Sequence, residues 1–226
     1  DTMKQEVESI DGLFEEIALL QKKEKLISIE LFDLAKKISL FRRQAASDLV
    51  IKIEQDLLGL GIKNPNVKFD FLQNDVFLYN GMDTVNLLFS SNKGYALKPL
   101  SKIGSGGEVA RLMLCVKKHL FSISKFSTII FDEIDSGVSG EIGRKMGRIL
   151  QSISHNGQVI CITHLPQIAS LGNCHYRVFK VDDKDFSKTI VVNITEKERI
   201  LEIARMLSGD EVNEEAIANA KKMLDI

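Results

Sequence analysis

Along residues 3–58, apolar positions recur in alternating steps of three and four, the spacing that gathers side chains on one side of a helix. Val7, Ile10, Phe14 and Ile17 form one run; Ile27, Leu31, Leu34, Ile38, Phe41 and Ala45 form a second. The stretch has no Pro and a single Gly before Gly59, and it is rich in Lys, Glu, Leu, Ile and Ala. It predicts a long helix with a heptad seam. The two runs are out of phase across "QKKEK" (21–25), so a stutter, a bend or a short break is expected there. A helix of this length spans roughly 80 Å. It cannot lie along a small globule, and its seam calls for a partner helix.

Beyond the helix, "GLGIKNPNVKF" (59–69) supplies Gly, Asn and Pro punctuation. Short β-prone pieces at 67–72, 76–79 and 84–90 predict a small meander. From 100 onward the pattern becomes α/β: a Gly-rich turn, a helix near 107–122, a strand at 127–131 and a helix at 141–154. A strand at 158–162, a short helix after Pro166 and strands at 175–181 and 189–194 follow. Two amphipathic helices, near 196–207 and 212–224, end the chain. Strands alternating with helices imply a mainly parallel sheet. The expected division is therefore a coiled-coil segment at 1–58 and an α/β part at 59–226.

Composition narrows the possibilities. The 226 residues carry a net charge of −1, which gives no global attraction to DNA or to an anionic membrane. A local basic stretch lies at 22–43 (Lys22, Lys23, Lys25, Lys36, Lys37, Arg42 and Arg43), readable as a solvated helix face or as a DNA contact. Cys115, Cys161 and Cys174 are at no metal-ligand spacing, and Cys115 and Cys161 sit inside apolar runs that suit reduced core thiols of a cytosolic protein. No stretch approaches the about 20 apolar residues of a membrane span. The opening "DTMKQEVES" reads as the middle of a helix, so the chain is expected to be a piece of a longer protein.

Three stretches carry chemistry. In "STIIFDEIDSGVSGE" (127–141) an apolar strand ends in Asp132-Glu133, with Asp135 two residues on. Ligands of open α/β sheets bind beyond the carboxyl ends of strands. An acid there can hold Mg²⁺ while its neighbour orients a water; strand alternation would send the two side chains to different sides. The alternative is an acidic strand end that caps a turn. In "KIGSGGEVAR" (102–111) glycines around Ser105 precede a helix and expose backbone N–H groups suited to an anion. It is not a P-loop, and no G-x-x-x-x-G-K occurs in the chain. In "VICITHLPQIAS" (159–170) a strand ends at Thr163-His164, a His suited either to a phosphate oxygen or to a structural role.

Taken in order, "LSKIGSGGEVARLML", "TIIFDEIDSGVSGE", "CITHLPQIAS" and "EIARMLSGDE" resemble the C-terminal half of an ABC-type ATPase head of the SMC-like class, in its bacterial double-strand-break repair branch. The heptad helix fits that family's antiparallel coiled-coil arm. The resemblance implies that Gly104, Ser105, Gly106, Gly107 and Glu108 form the signature loop binding the γ-phosphate of ATP. It makes Asp132 the acid supporting Mg²⁺, Glu133 the general base and His164 the switch histidine. Asp135 through Gly140 would be the loop that crosses to the opposite subunit. Gly104 stands where the family often has Ala, and Val109-Ala110 replace its usual Leu-Ser; neither change removes a phosphate-binding group.

The implied partners are an N-terminal half of the same head carrying the P-loop, a second copy through head–head dimerisation, an antiparallel partner helix, and DNA. No membrane is expected; the location would be cytoplasmic and nucleoid-associated. Without a P-loop, the chain alone is expected not to hydrolyse ATP. Two other readings stay open: a metal-dependent nuclease built on Asp132, Glu133 and Asp135, and a non-enzymatic coiled-coil module with a degenerate head.

Overall fold

The computed structural model describes residues 2–121, 123, 127–182, 186–209 and 211–226, with side chains from Gly12 onward except that of Asp182. Residue 122, expected to end the second helix, lies outside them, as do the side chains of Val7 and Ile10. The chain divides into two compact units, residues 1–50 with 69–87, and residues 51–68 with 88–226.

Helix α1 runs unbroken from Thr2 to Gly59. The short break expected at 21–25 does not occur, because Gln, Lys and Glu are all strong helix formers and nothing there competes for the backbone. Within the first unit the seam residues Phe14, Ile17, Ile27, Leu31, Leu34, Ile38 and Phe41 are all exposed. Strands β1 (Asn66–Leu78) and β2 (Gly81–Ser90) pair through a two-residue connection, which requires an antiparallel hairpin. "QND" does not split β1 as expected. Asn74 instead donates from Nδ2 to Met82 O at 3.1 Å and to Thr84 Oγ1 at 3.0 Å, bridging the two strands. The hairpin meets α1 through Asp83, which is buried. Its oxygens accept from the Ser39 hydroxyl at 2.6 and 2.7 Å, while Arg42 Nη2 donates to Asn80 O at 2.7 Å.

The second unit holds the apolar core. Ile53, Leu57 and Leu60 at the end of α1 are buried, as are Leu112 and Leu114 of α2 (Gly106–Phe121) and Met146 of α3 (Gly140–Ser154). Strand β3 (Lys98–Pro99) pairs antiparallel with the end of β2. Strands β4 (Thr128–Asp132) and β5 (Gln158–Ile162) pair in parallel through the α3 crossover, in the register Asp132 with Ile162. Strands β6 (Tyr176–Asp182) and β7 (Ser187–Asn193) form a separate antiparallel pair, so among the described residues the parallel pair is β4–β5. Helix α4 (Pro166–Ala169) lies between β5 and β6 along the chain. Helix α5 (Glu196–Ser208) starts in a capping box of Thr195 and Glu198, and packs Ile203 and Ala204 on Ala216 and Ala220 of α6 (Glu214–Met223).

Asp56, near the end of α1, ties that helix to α2. Lys118 Nζ donates to Asp56 Oδ1 at 2.7 Å, and His119 Nε2 lies 2.8 Å from Oδ2. Hydrogen bonds to half-buried charged groups are worth about 1.5–3 kcal/mol each. Asp56→Ala should therefore lower the urea-unfolding free energy of this unit by at least about 2 kcal/mol. An unchanged transition would mean that the link contributes nothing.

Candidate functional site

The parallel register of β4 and β5 brings the two strand ends side by side, with Asp132 opposite Ile162. The apolar residues of β4 hold the strand in place: Phe131 is buried, whereas Asp132 and Glu133 are exposed. Strand alternation does not govern these two carboxylates. Asp132 ends the strand, and Glu133 lies beyond it with a backbone φ of 50°, in the left-handed region. A non-glycine residue there costs on the order of 1–2 kcal/mol. The backbone turns at once, with Ser136 N donating to Glu133 O at 3.3 Å and Val138 N to Asp135 O at 3.2 Å.

Asp135 differs from the expectation of an outward-facing residue. Its side chain is 0% exposed. Oδ2 accepts from the Thr163 hydroxyl and from the His164 backbone N–H at 3.1 Å, and His164 Nδ1 lies 3.3 Å away. A buried carboxylate is tolerated where such donors replace water. The three acids of the nuclease reading thus do not converge, and among the described residues no group of three or more His, Cys, Asp or Glu is placed to hold a metal.

At the Gly-rich turn, Gly104 and Ser105 precede α2, and Gly106, Gly107 and Glu108 form its first turn. Ser105 is exposed, and its carbonyl accepts from Val109 N at 3.2 Å. The N–H groups of that first turn have no helical acceptor and point outward at the positive end of the helix dipole. A Cβ on Gly107 would lie 2.7 Å from Ser136 O, whereas one on Gly106 would meet nothing within 4 Å. The close approach of Gly107 to the backbone after Asp132-Glu133 sets the Gly-rich turn beside the acidic loop. His164 completes the set: its side chain is 70% exposed, beyond the end of β5.

Sequence reasoning missed Thr163 as a participant. Its hydroxyl oxygen accepts from Leu165 N at 3.0 Å while its hydrogen goes to Asp135. The Ser136 carbonyl was missed as well, since no local pattern marks which backbone a glycine will touch.

No family model matches the chain. It is 34% identical over 227 residues to the DNA repair protein RecN of Haemophilus influenzae, covering 99% of this chain and 40% of that protein. With the RecN of Halalkalibacterium halodurans it shares 31% over 229 residues, covering 100% and 40%. Along its whole length the chain is similar to RecN proteins. It spans about 40% of the length of those RecN relatives. A crystal structure of the Smc head domain with a coiled coil and joint from Pyrococcus yayanosii matches it with a TM-score of 0.54 at 18% identity, over 76% of this chain and 32% of that one. The fold of this RecN homologue is accordingly that of an SMC-type head lobe.

Two thiols of the RecN-like chain flank these elements. Burial pushes Cys115 in α2 up to about 12, with the Asp56 charge adding to it. Burial, then the charges of Asp135 and Asp132, pushes Cys161 in β5 up to about 12. Both stay protonated through neutral pH and become nucleophilic only as pH climbs toward that value. At pH 8 a disulfide reagent should modify exposed Cys174 first, half-buried Cys161 far more slowly, and buried Cys115 only on unfolding. Three equally fast thiols in the folded chain would contradict this environment. At the Gly-rich turn, Gly107→Ala should lower the melting temperature by several degrees and Gly106→Ala by far less. Equal effects would mean that the Ser136 contact does not constrain the turn.

Proposed function

We propose that this chain is the C-terminal half of a RecN-type ATPase head acting in DNA double-strand-break repair. The observation that carries the reading is the packing of Gly107 on the Ser136 carbonyl, which joins an anion-receiving helix end to the loop after Asp132-Glu133. Homology to RecN proteins along nearly the whole chain supports it.

The residues fit a magnesium nucleotide. The donors at the α2 end are first-turn backbone N–H groups and an exposed Ser105 hydroxyl, the acid at the strand end is exposed, and a Cβ on Gly106 would meet nothing within 4 Å. Mg-ATP, when bound, supplies the phosphoanhydride bond and the charge that these groups meet. Asp132 holds the Mg²⁺ side of the site. The Glu133 carboxylate accepts the proton of the attacking water, a role served by its exposed, turned-out position. His164 presents its imidazole to a phosphate oxygen. Gly104 through Glu108 act on nucleotide held by a second copy, so turnover is coupled to head–head dimerisation and to tethering DNA ends.

The P-loop comes from the N-terminal half of the same head. The exposed α1 seam receives an antiparallel partner helix. The protein works in the cytoplasm on the nucleoid.

Glu133→Gln in the full-length protein should keep nucleotide binding and lower ATP turnover about 100-fold or more, the range of a lost general base. Ser105→Arg should stop head–head association while leaving nucleotide on the P-loop half. Undiminished turnover in Glu133→Gln would overturn the assignment of the base.

A further inference from the structure

We propose that Asp135 is a positioning residue for His164: its buried carboxylate holds the imidazole with Nδ1 turned inward and Nε2 presented outward. The inference rests on reading His164 as the phosphate-facing group, and it concerns how this chain alone prepares that group.

A histidine side chain that is 70% exposed has little packing to hold it. Free in solvent, its ring would rotate and sample both neutral tautomers. Among the described residues the ring's polar contact is Asp135 Oδ2, 3.3 Å from Nδ1. An ionised carboxylate can only accept, so this approach favours a hydrogen on the nitrogen that faces it. The other nitrogen, Nε2, is then left outward with its lone pair in the neutral ring or with a proton in the charged one. The same division, with one nitrogen oriented by a carboxylate and the other free for chemistry, recurs where proteins need a histidine fixed before its ligand arrives.

Asp135 is itself held in place. The His164 backbone N–H donates to the same Oδ2 at 3.1 Å, so the carboxylate grips the main chain of the residue whose ring it faces. The Thr163 hydroxyl donates there too, and cannot point elsewhere because its oxygen accepts from Leu165 N at 3.0 Å. The result is a chain of donors running from Leu165 through Thr163 to Asp135, each polarising the next. The second oxygen, Oδ1, is buried with no donor among the described residues. All the observed bonding is thus concentrated on the oxygen that faces His164. A plain cap of the turn between β5 and α4 would need only the two bonds from Thr163 and the backbone. The approach of the ring nitrogen goes beyond capping.

The test is the tautomer of His164, read by ¹⁵N NMR of the histidine-labelled chain without nucleotide. His164→Gln identifies the signal among the chain's four histidines. In the wild-type chain at pH 8, Nδ1 should carry the hydrogen. Asp135→Asn can still accept through its amide oxygen but lacks the charge, and should shift the ring toward the Nε2–H form that free histidine prefers. Thr163→Val keeps the carboxylate beside the ring and should retain the Nδ1–H form despite a lower melting temperature.

In the full-length protein, Asp135→Asn should lower kcat roughly 10- to 100-fold, the usual cost of losing an orienting partner, with KM changed far less. An Nε2–H tautomer in the wild-type chain overturns the proposal, and this holds even if Asp135→Asn fails to fold. So does an Asp135→Asn ring indistinguishable from wild type. If the tautomers behave as stated while His164→Ala leaves full-length turnover untouched, the positioning stands and the phosphate-facing role of His164 is what fails.

Discussion

The carboxylate of Asp135 is a fully buried charge at the junction of two loops, and the arrangement of the candidate site depends on its being satisfied. An unpaired buried carboxylate would cost several kcal/mol. Donors from Thr163 and His164 offset part of that cost at Oδ2, while Oδ1 has no donor among the described residues. The two donors can do so only because β4 and β5 are adjacent, parallel and in the register that ends both strands together. The loop from Glu133 to Ser139 is held inward at Asp135 and by the buried apolar side chains of Ile134 and Val138. Its flanks stay at the surface, Asp132 and Glu133 on one side and Ser136 against Gly107 on the other. One buried acid thus organises the exposed ones.

The surfaces left open are those the proposed head would use. The α2 end, the strand-end acids and the His164 ring all sit on the second unit and are accessible. On the first unit, α1 shows a long apolar seam to solvent, which a stable monomeric helix has no reason to carry. Within the second unit, the Asp56 contact with Lys118 and His119 anchors the last turns of α1 to α2, the helix whose other end carries the Gly-rich turn. This contact joins the root of the long helix to the helix that begins at the Gly-rich turn.

Much of this was legible in the sequence where local pattern decides the outcome. Residues 158–162 form a strand because β-branched and apolar residues run between the turn at Asn156-Gly157 and Thr163-His164. Helix α1 follows its heptads, and the polar "QKKEK" continues it because propensity there meets no opposition. The candidate site residues were named from residue type, spacing and family resemblance. Their attitudes were not legible, because those depend on residues far along the chain. Asp135 turns inward for a hydroxyl 28 positions later, and Gly107 is required by a carbonyl on another loop. Asn74 extends β1 through a partner across the hairpin that no window of sequence displays. The left-handed turn at Glu133 is a backbone choice for which its side chain gives no warning.

The central claim is that this chain holds one part of a nucleotide site whose other part lies elsewhere in the full-length protein. It is tested most directly by measuring ATP turnover after combining this chain with the remainder of that protein, supplied as a separate polypeptide. The account predicts no turnover from either piece alone and turnover at a substantial fraction of the full-length rate once they associate. Turnover by this chain alone, or a stable association of the two pieces that hydrolyses nothing, would contradict it.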